Sequence, residues 1–478
     1  MLRTLSLLLV LASCAFLMSC GNSMLPPPVV QSGSIPVTVT IRDTPPAGVA
    51  VLFFETLMTG ASLQPTDTTK PAVSVLSTPL EIEFGHLRTN AAFLNLANVA
   101  PDTYASATLT FGSAMMTIVN HSGATVGSCA NNSACEFSPN FSASTVTLSG
   151  TPFPITISQN TVVGVQLDFN LNASVQSDLS ITPTVTLKQL TQLPDIDKDM
   201  EMDTIDELDG LVTAIGTGQF TLADERTGQS YTISVDANTM FQDFSRAGCT
   251  ASPADLTCVK MGQILNVNLS ESGLGAMLAK RVEFEEVANK QALKGTITSV
   301  DSATQFHMVV FNEQPSVAGI SEGMPVIVSI QTGALFQTGN EDLDEFGGFS
   351  LPGLTFTSSA DLLVGQDVQI RPGTVTTSGS DTTVTTTLVR LWPSQISGVV
   401  SAVDSAKATL TLTGLSPLFT GATPPITTIN VVTLTQIHLQ DFTGLASLTT
   451  GSNLTVKGLL YNTKGTPTLV TRTMRLIK

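Results

Sequence analysis

The sequence predicts an all-β chain: an N-terminal antiparallel β-sandwich followed by three small OB-like or barrel-like β repeats. Three observations lead there. Charged residues make up 12% and aromatics 5% of the 478 residues, while Thr, Ser, Val, Leu and Gly dominate, a composition suited to half-buried strands. Short apolar/polar alternations, bounded by Gly, Pro, Asn and Asp, recur along the chain. One ordered set of anchors also returns three times after residue 208.

Residues 1–19 read as a signal peptide. Arg3 supplies a positive charge, residues 5–18 carry none, and small Ser19 precedes Cys20. The apolar core is too short for a spanning helix. A cysteine at the cleavage point resembles the lipobox of bacterial lipoproteins, in which the thiol is lipidated and begins the mature chain. Cys14 is a second match, but cutting there leaves a stub of a core, so Cys20 is the expected lipidation site. The alternative is a buried N-terminal strand or an uncleaved anchor. Gly21 and Asn22 lack the Asp that, by the same resemblance, retains lipoproteins at an inner membrane, so an outer membrane is favoured. Pro- and Ser-rich residues 20–34 form the lipid tether.

Residues 35–193 form the sandwich. Ile35, Val37, Val39 and Ile41 alternate with Pro36, Thr38, Thr40 and Arg42, a strand with one apolar face, and Asp43-Thr44-Pro45-Pro46 ends it. The same alternation returns at Val163, Val165, Leu167, Phe169 and Leu171, and Thr184-Val185-Thr186-Leu187 closes the segment. The opening strand, Val99-Ala100-Pro101-Asp102-Thr103-Tyr104 and Gln166-Leu167-Asp168-Phe169-Asn170-Leu171 together resemble the bacterial domain of unknown function 4382. Asp102 stands where that family has Gly. The resemblance covers roughly residues 34–192 and implies an exported β-domain with no established activity.

Residues 194–207 are an acidic linker. Asp195, Asp197, Asp199, Glu201, Asp203 and Asp206 occupy the ligand positions of a calcium loop, and oxygen clusters attract hard cations. Met200 sits where the sharp turn needs Gly, and no amphipathic helices flank the run. A solvated, self-repelling linker is the leading reading and weak calcium binding the alternative. No other cofactor is expected.

The repeats follow at 208–288, 292–393 and 395–478. Gly210-Leu211-Val212, Gly295-Thr296-Ile297 and Gly398-Val399-Val400 open them. Phe241-Gln242-Asp243-Phe244, Phe336-Gln337 and Leu439-Gln440-Asp441-Phe442 come next. Then an apolar residue precedes a Gly by three (Val259 and Gly262, Leu362 and Gly365, Leu448 and Gly451), with a strand after each. Each unit holds five or six strands, with a short helical turn ended by the Gly. That inventory suits a closed barrel. The repeat resembles the bacterial domain of unknown function 5666, a tandem module of such lipoproteins. Residues 333–353 are an insert in unit two, expected as a surface loop. Read as tandem modules, sandwich and barrels are strand-built beads.

Beyond the signal, four cysteines remain in two close pairs. In an oxidising compartment the simplest pairing is Cys129 with Cys135 and Cys249 with Cys258, each stabilising by roughly 2–3 kcal/mol. A four-thiol metal site is the rival, though neither pair has the tight zinc spacing. Catalytic motifs are sparse. His86, His121, His307 and His438 show no ligand spacing, and no nucleophile elbow, phosphate loop or His-Glu-x-x-His occurs. Gly216-Thr217-Gly218 reads as a hairpin turn. One Trp (Trp392) and three Tyr (Tyr104, Tyr231, Tyr461) are few for sugar stacking, and Trp392 reads as a core or junction residue. A net charge of −17 without a basic cluster disfavours nucleic acid. The expected function is non-enzymatic: a cell-envelope structural or protein-binding role, membrane-attached by its lipid, with envelope proteins as partners. The alternative is a calcium-assisted adhesion or ligand-binding module. A solvated linker predicts a melting temperature unmoved by millimolar calcium; a rise lost in the Asp197→Asn, Asp199→Asn double variant would mark an ion site instead.

Overall fold

The computed structural model describes residues 35–43, 50–76, 78–87, 92–159, 163–190, 205–224, 229–271, 276–287, 291–314, 316–338, 353–463 and 466–477. Cys20, Asp195, Asp197, Asp199 and Glu201 lie outside them.

The sandwich runs from β1 (Ile35–Asp43) through β2 (Ala50–Pro65), β3 (Val73–Ser74), β4 (Leu80–Glu83), β5 (Ala92–Val99), β6 (Asp102–Asn120), β7 (Ser133–Phe137), β8 (Thr145–Leu148), β9 (Ile155–Ile157) and β10 (Val163–Phe169) to β11 (Val185–Leu190). One sheet has the order β11-β10-β1-β5; the other has β3-β2-β6-β7, with β4 on β2 and β8 and β9 on β6. Among the described residues every pairing of these strands is antiparallel except β1 with β10, which is parallel (Val37 opposite Val163, Asp43 opposite Phe169); an isolated bridge from Phe141 to Ile181 is parallel too. Alternation shows which face of a strand is apolar but not which way its neighbour runs. Phe54, Phe84, Phe111 and Phe169 fill the space between the sheets, with Phe84 and Phe169 centroids 4.8 Å apart. The buried Tyr104 donates its hydroxyl to Ala100 O at 2.8 Å, a corner that pins the turn into β6. At that turn Asp102 accepts from Thr103 N and from Lys70 Nζ (2.8 and 2.6 Å).

The first repeat contains β12 (Ile205–Gly216), β13 (Gln219–Asp224), β14 (Ser230–Ser234), β15 (Met240–Gln242), β16 (Gln263–Glu271) and β17 (Met277–Val287). The second contains β18 (Ala292–Ser302), β19 (Gln305–Gln314), β20 (Pro325–Thr338), β21 (Asp367–Ser378) and β22 (Asp381–Trp392). The third contains β23 (Ser394–Asp404), β24 (Thr409–Thr413), β25 (Ile429–Gln440), β26 (Asn453–Tyr461) and β27 (Thr468–Ile477). Repeats two and three are closed barrels in which the first strand pairs with the second and fourth, and the third pairs in parallel with the fifth. This is the OB-like order. In the first repeat, β14 and β15 both pair in parallel with β17, so together they stand for the single third strand of the others. That strand is interrupted in all three: the register shifts between Ile330 and Leu335 in β20 and between Thr433 and His438 in β25.

The repeated glycines have geometric causes. A Cβ on Gly210, Gly295 or Gly398 would lie 2.6, 2.6 or 2.9 Å from the carbonyl oxygen of Ala223, Val309 or Thr413. Only Gly lets the first strand coil that closely over the second. Gly262, Gly365 and Gly451 have φ of +81°, +84° and +95°. Their N–H groups donate to Val212, Ile297 and Val400 O at 2.9, 2.9 and 2.8 Å. The helical turns before them are 3₁₀ (Leu256–Cys258, Ser359–Asp361, Leu445–Ser447) and end at Val259, Leu362 and Leu448. The Gly therefore does not end the helix, as the sequence suggests; the buried apolar residue does, and the Gly closes the next turn. The start of the expected surface insert also differs, because β20 continues to Thr338 and pairs Leu335 to Thr338 with Leu388 to Leu391 of β22. Residues 339–352 of that insert lie outside the described residues.

The beads are fused. Leu52, Phe53 and Val119, from β2 and β6, form one apolar cluster with Val309 and Val364 of the second repeat and Leu418 of the third. Phe53 is fully buried, and a Cβ on Gly323 would lie 2.9 Å from its ring. Thr117 Oγ1 donates to Gly323 O, and Gln395 Nε2 donates to His86 O, both at 2.5 Å. Arg475 pairs with Asp168 at 2.9 Å. Leu459, Tyr461 and Val470 of the third repeat belong to the core of the second. Separate modules would leave these apolar faces in water. Phe53→Ala should cost about 3–5 kcal/mol, read as a fall in the denaturant midpoint, with sandwich and barrel signals moving together.

Candidate functional site: a cleft where three domains meet

The sandwich and the second and third repeats part around a cleft of about 1320 Å³. Its sandwich wall is built by a clamped hairpin. Cys129 and Cys135 are bridged (Cα–Cα 5.6 Å), tying the turn to β7. Inside that turn Asn120 Nδ2 donates to Ala124 O and Cys129 O (2.7 and 2.9 Å), while its Oδ1 accepts from Ser122 N and Oγ (3.0 and 2.7 Å). One buried amide thus replaces water for the loop backbone. The second expected bridge, Cys249 with Cys258, is also formed and lies in the first repeat beside its 3₁₀ turn.

Two histidines distant in sequence line this cleft. His121 Nδ1 is 3.0 Å from Asn132 Oδ1, and its buried Nε2 has no hydrogen-bond partner among the described residues. The ring rests on Gly421, where a Cβ would be 2.2 Å away. His307 Nε2 lies 2.8 Å from Asp301 Oδ2, and Ser299 Oγ donates to Asp301 Oδ1 at 2.8 Å. The carboxylate therefore stands between serine and histidine. A nucleophilic serine needs contact with its base, and here Asp301 takes both hydrogen bonds. Glu136 and Asp381 also line the cleft, together with Ser, Thr, Asn and Pro residues, and among the described lining residues none is Lys or Arg.

The remaining histidines do other work. His86 stacks on Phe311 of the second repeat, centroids 3.9 Å apart, with Nδ1 3.0 Å from Glu83. His438 lies in β25 opposite Thr473; its side chain is outside the description. Trp392 is a junction residue: Lys294 Nζ lies 4.1 Å above its ring and 3.7 Å from Glu285 of the first repeat. Asp206 falls within β12, not in the linker, with its side chain outside the description. Among the described residues no group of three or more His, Cys, Asp or Glu could hold a metal ion.

A second electrostatic feature lies on β2 and β4, where Glu55 stands opposite Glu83. Burial, then the charges of Glu81 and Glu83, push Glu55 from its ordinary value up to about 7. Burial works to raise Glu83 too, but the His86 ring and the N–H groups of Phe54 and Gly85 hold it below the usual range.

No family model matches the chain, and no curated protein matches it. Among solved structures it is similar to drosophila Unr CSD456, with 9% identity over 57% of this chain and 97% of that one and a TM-score of 0.12. It is also similar to a multidomain protein with nucleic acid binding domains from streptococcus pneumoniae tigr4. There the identity is 8% over 56% of this chain and 72% of that one, with a TM-score of 0.10. Scores this low carry no inference about fold or ligand.

Because the folded value of Glu55 exceeds its unfolded one, its contribution to stability is full below the ordinary carboxylate value. It is lost as pH rises toward 7. Glu55 is partly exposed, so screening holds the effect to about 1–2 kcal/mol. Melting temperature should therefore fall over that interval, and Glu55→Gln should flatten the fall.

Proposed function

We propose that this is an exported, lipid-anchored cell-envelope protein whose role is to bind another protein at the three-domain cleft. The cleft carries the reading: it is large, polar-lined, and walled on one side by a disulfide-clamped hairpin. Two bridged cysteine pairs suit an oxidising compartment. The signal-like residues before Cys20 and the tether after it support delivery to a membrane surface through an acyl chain. Among the described residues no helix is long and apolar enough to cross a membrane. Asp301, held between Ser299 and His307, suits a recognition surface better than acyl transfer.

Fractionation and site-specific crosslinking test the two halves of this reading. Cys20→Ser should release the protein from the membrane fraction. A photo-crosslinking residue at Ser133, on the cleft wall, should trap a discrete envelope protein, while the same residue at exposed Thr156 of β9 should not. Membrane retention of the serine variant refutes the anchor, and equal trapping at both positions refutes the site.

A further inference from the structure

We infer that the cleft takes an extended, basic polypeptide segment, added as a strand along the open edge of β7. This deepens the protein-binding reading and rests on it. The first argument is size. At about 1320 Å³ the cleft exceeds the roughly 300–1,000 Å³ of small-molecule pockets.

The second argument is backbone. β7 is the terminal strand of its sheet and, among the described residues, pairs with β6 alone (Met116 opposite Phe137 to Asn120 opposite Ser133). Its residues Ser133, Ala134 and Glu136 line the cleft. An edge with no further strand hydrogen-bonded to it among the described residues offers N–H and C=O groups to an incoming chain. The Cys129–Cys135 bridge holds that edge rigid before binding, which lowers the ordering cost.

The third argument is charge. Glu136 comes from the sandwich, Asp301 and Asp381 from two hairpins of the second repeat; among the described lining residues none is Lys or Arg, and the cationic partner nearest these acids is His307, on Asp301 at 2.8 Å. A chain of net charge −17 also draws cationic partners from a distance. Apolar Val300 and Met324, the more accessible apolar groups of the same lining, suit the aliphatic stems of lysine and arginine. An acidic segment or a nucleic acid meets repulsion here.

Fluorescence anisotropy on the full chain tests this with three capped probes: an alternating Lys-Val peptide, its Glu-Val counterpart, and the Lys-Val peptide N-methylated at alternate residues. The Lys-Val peptide should bind and the Glu-Val peptide should not. N-methylation on the pairing edge should weaken binding at least about 10-fold. Glu136→Gln, Asp301→Asn and Asp381→Asn should each weaken it by about 3-fold. Asp381, at an exposed hairpin tip, serves as the variant least able to disturb the fold. Equal affinity for the two charge types, undiminished binding of the N-methylated probe, or a triple variant that binds as before would each overturn the proposal. If the Ser133 crosslink persists while all three peptides fail, the basic-strand inference falls and the protein-binding reading stands; loss of the crosslink removes both.

Discussion

The packing of Phe53 and Val119 against the second and third repeats organises the rest of this molecule. Both residues project from the outer side of a sheet whose inner side already holds the sandwich core. That end of β2 and β6 is buried on two faces, as in a central layer rather than a wall. The cleft exists because the same three domains diverge just beyond this contact. Val119 and Val364 belong both to the shared core and to the cleft lining, so the floor of the site is the rim of the core. A site at such a junction has its geometry set by apolar contact between domains, and the polar residues around it need only supply recognition.

Much of this was legible in the residues, and the gaps have physical reasons. Ile35 to Ile41 alternate cleanly, and that strand was readable. Ala50-Val51-Leu52-Phe53-Phe54 does not alternate, and neither does Met308-Val309-Val310-Phe311. Continuous apolar runs of this kind mark burial on both faces, which was the available sign that the modules are fused. The repeat anchors were visible because Gly210, Gly295 and Gly398 each answer a backbone contact that admits no other residue. The cleft was not visible. His121 and His307 converge only through the docking of separate domains, and Glu55 meets Glu83 only through a strand pairing that periodicity cannot specify. The residues of the acidic run that most invite a metal lie outside the described fold.

The three repeats also show how one scaffold position can be put to different uses. Gln242, Gln337 and Gln440 hold the same place at the end of the third strand, facing Glu283, Arg390 and Arg475 on the fifth. In the second repeat Arg390 donates to Gln369 of its own barrel at 2.8 Å. In the third, Arg475 leaves the barrel and reaches Asp168 on the sandwich. The fold constrains where a side chain emerges, while its charge and length decide which neighbour it engages. Modules of like strand order thereby occupy non-equivalent places around one sandwich.

The parallel contact between β1 and β10 has a consequence for how the polypeptide acquires its shape. β1 is an inner strand, flanked by β5 and β10, so it gains both neighbours only after most of the sandwich has been made. Chains emerge amino end first, and pairing distant in sequence is slow to form. The closing pairs of the two closed barrels (Leu293 opposite Ile370, Ser394 opposite Gly458) bridge less of the chain than Val37 opposite Val163 does. The first strand of the sandwich is thus among the last to settle, and until then its apolar row stands open to chaperones, proteases and other nascent chains.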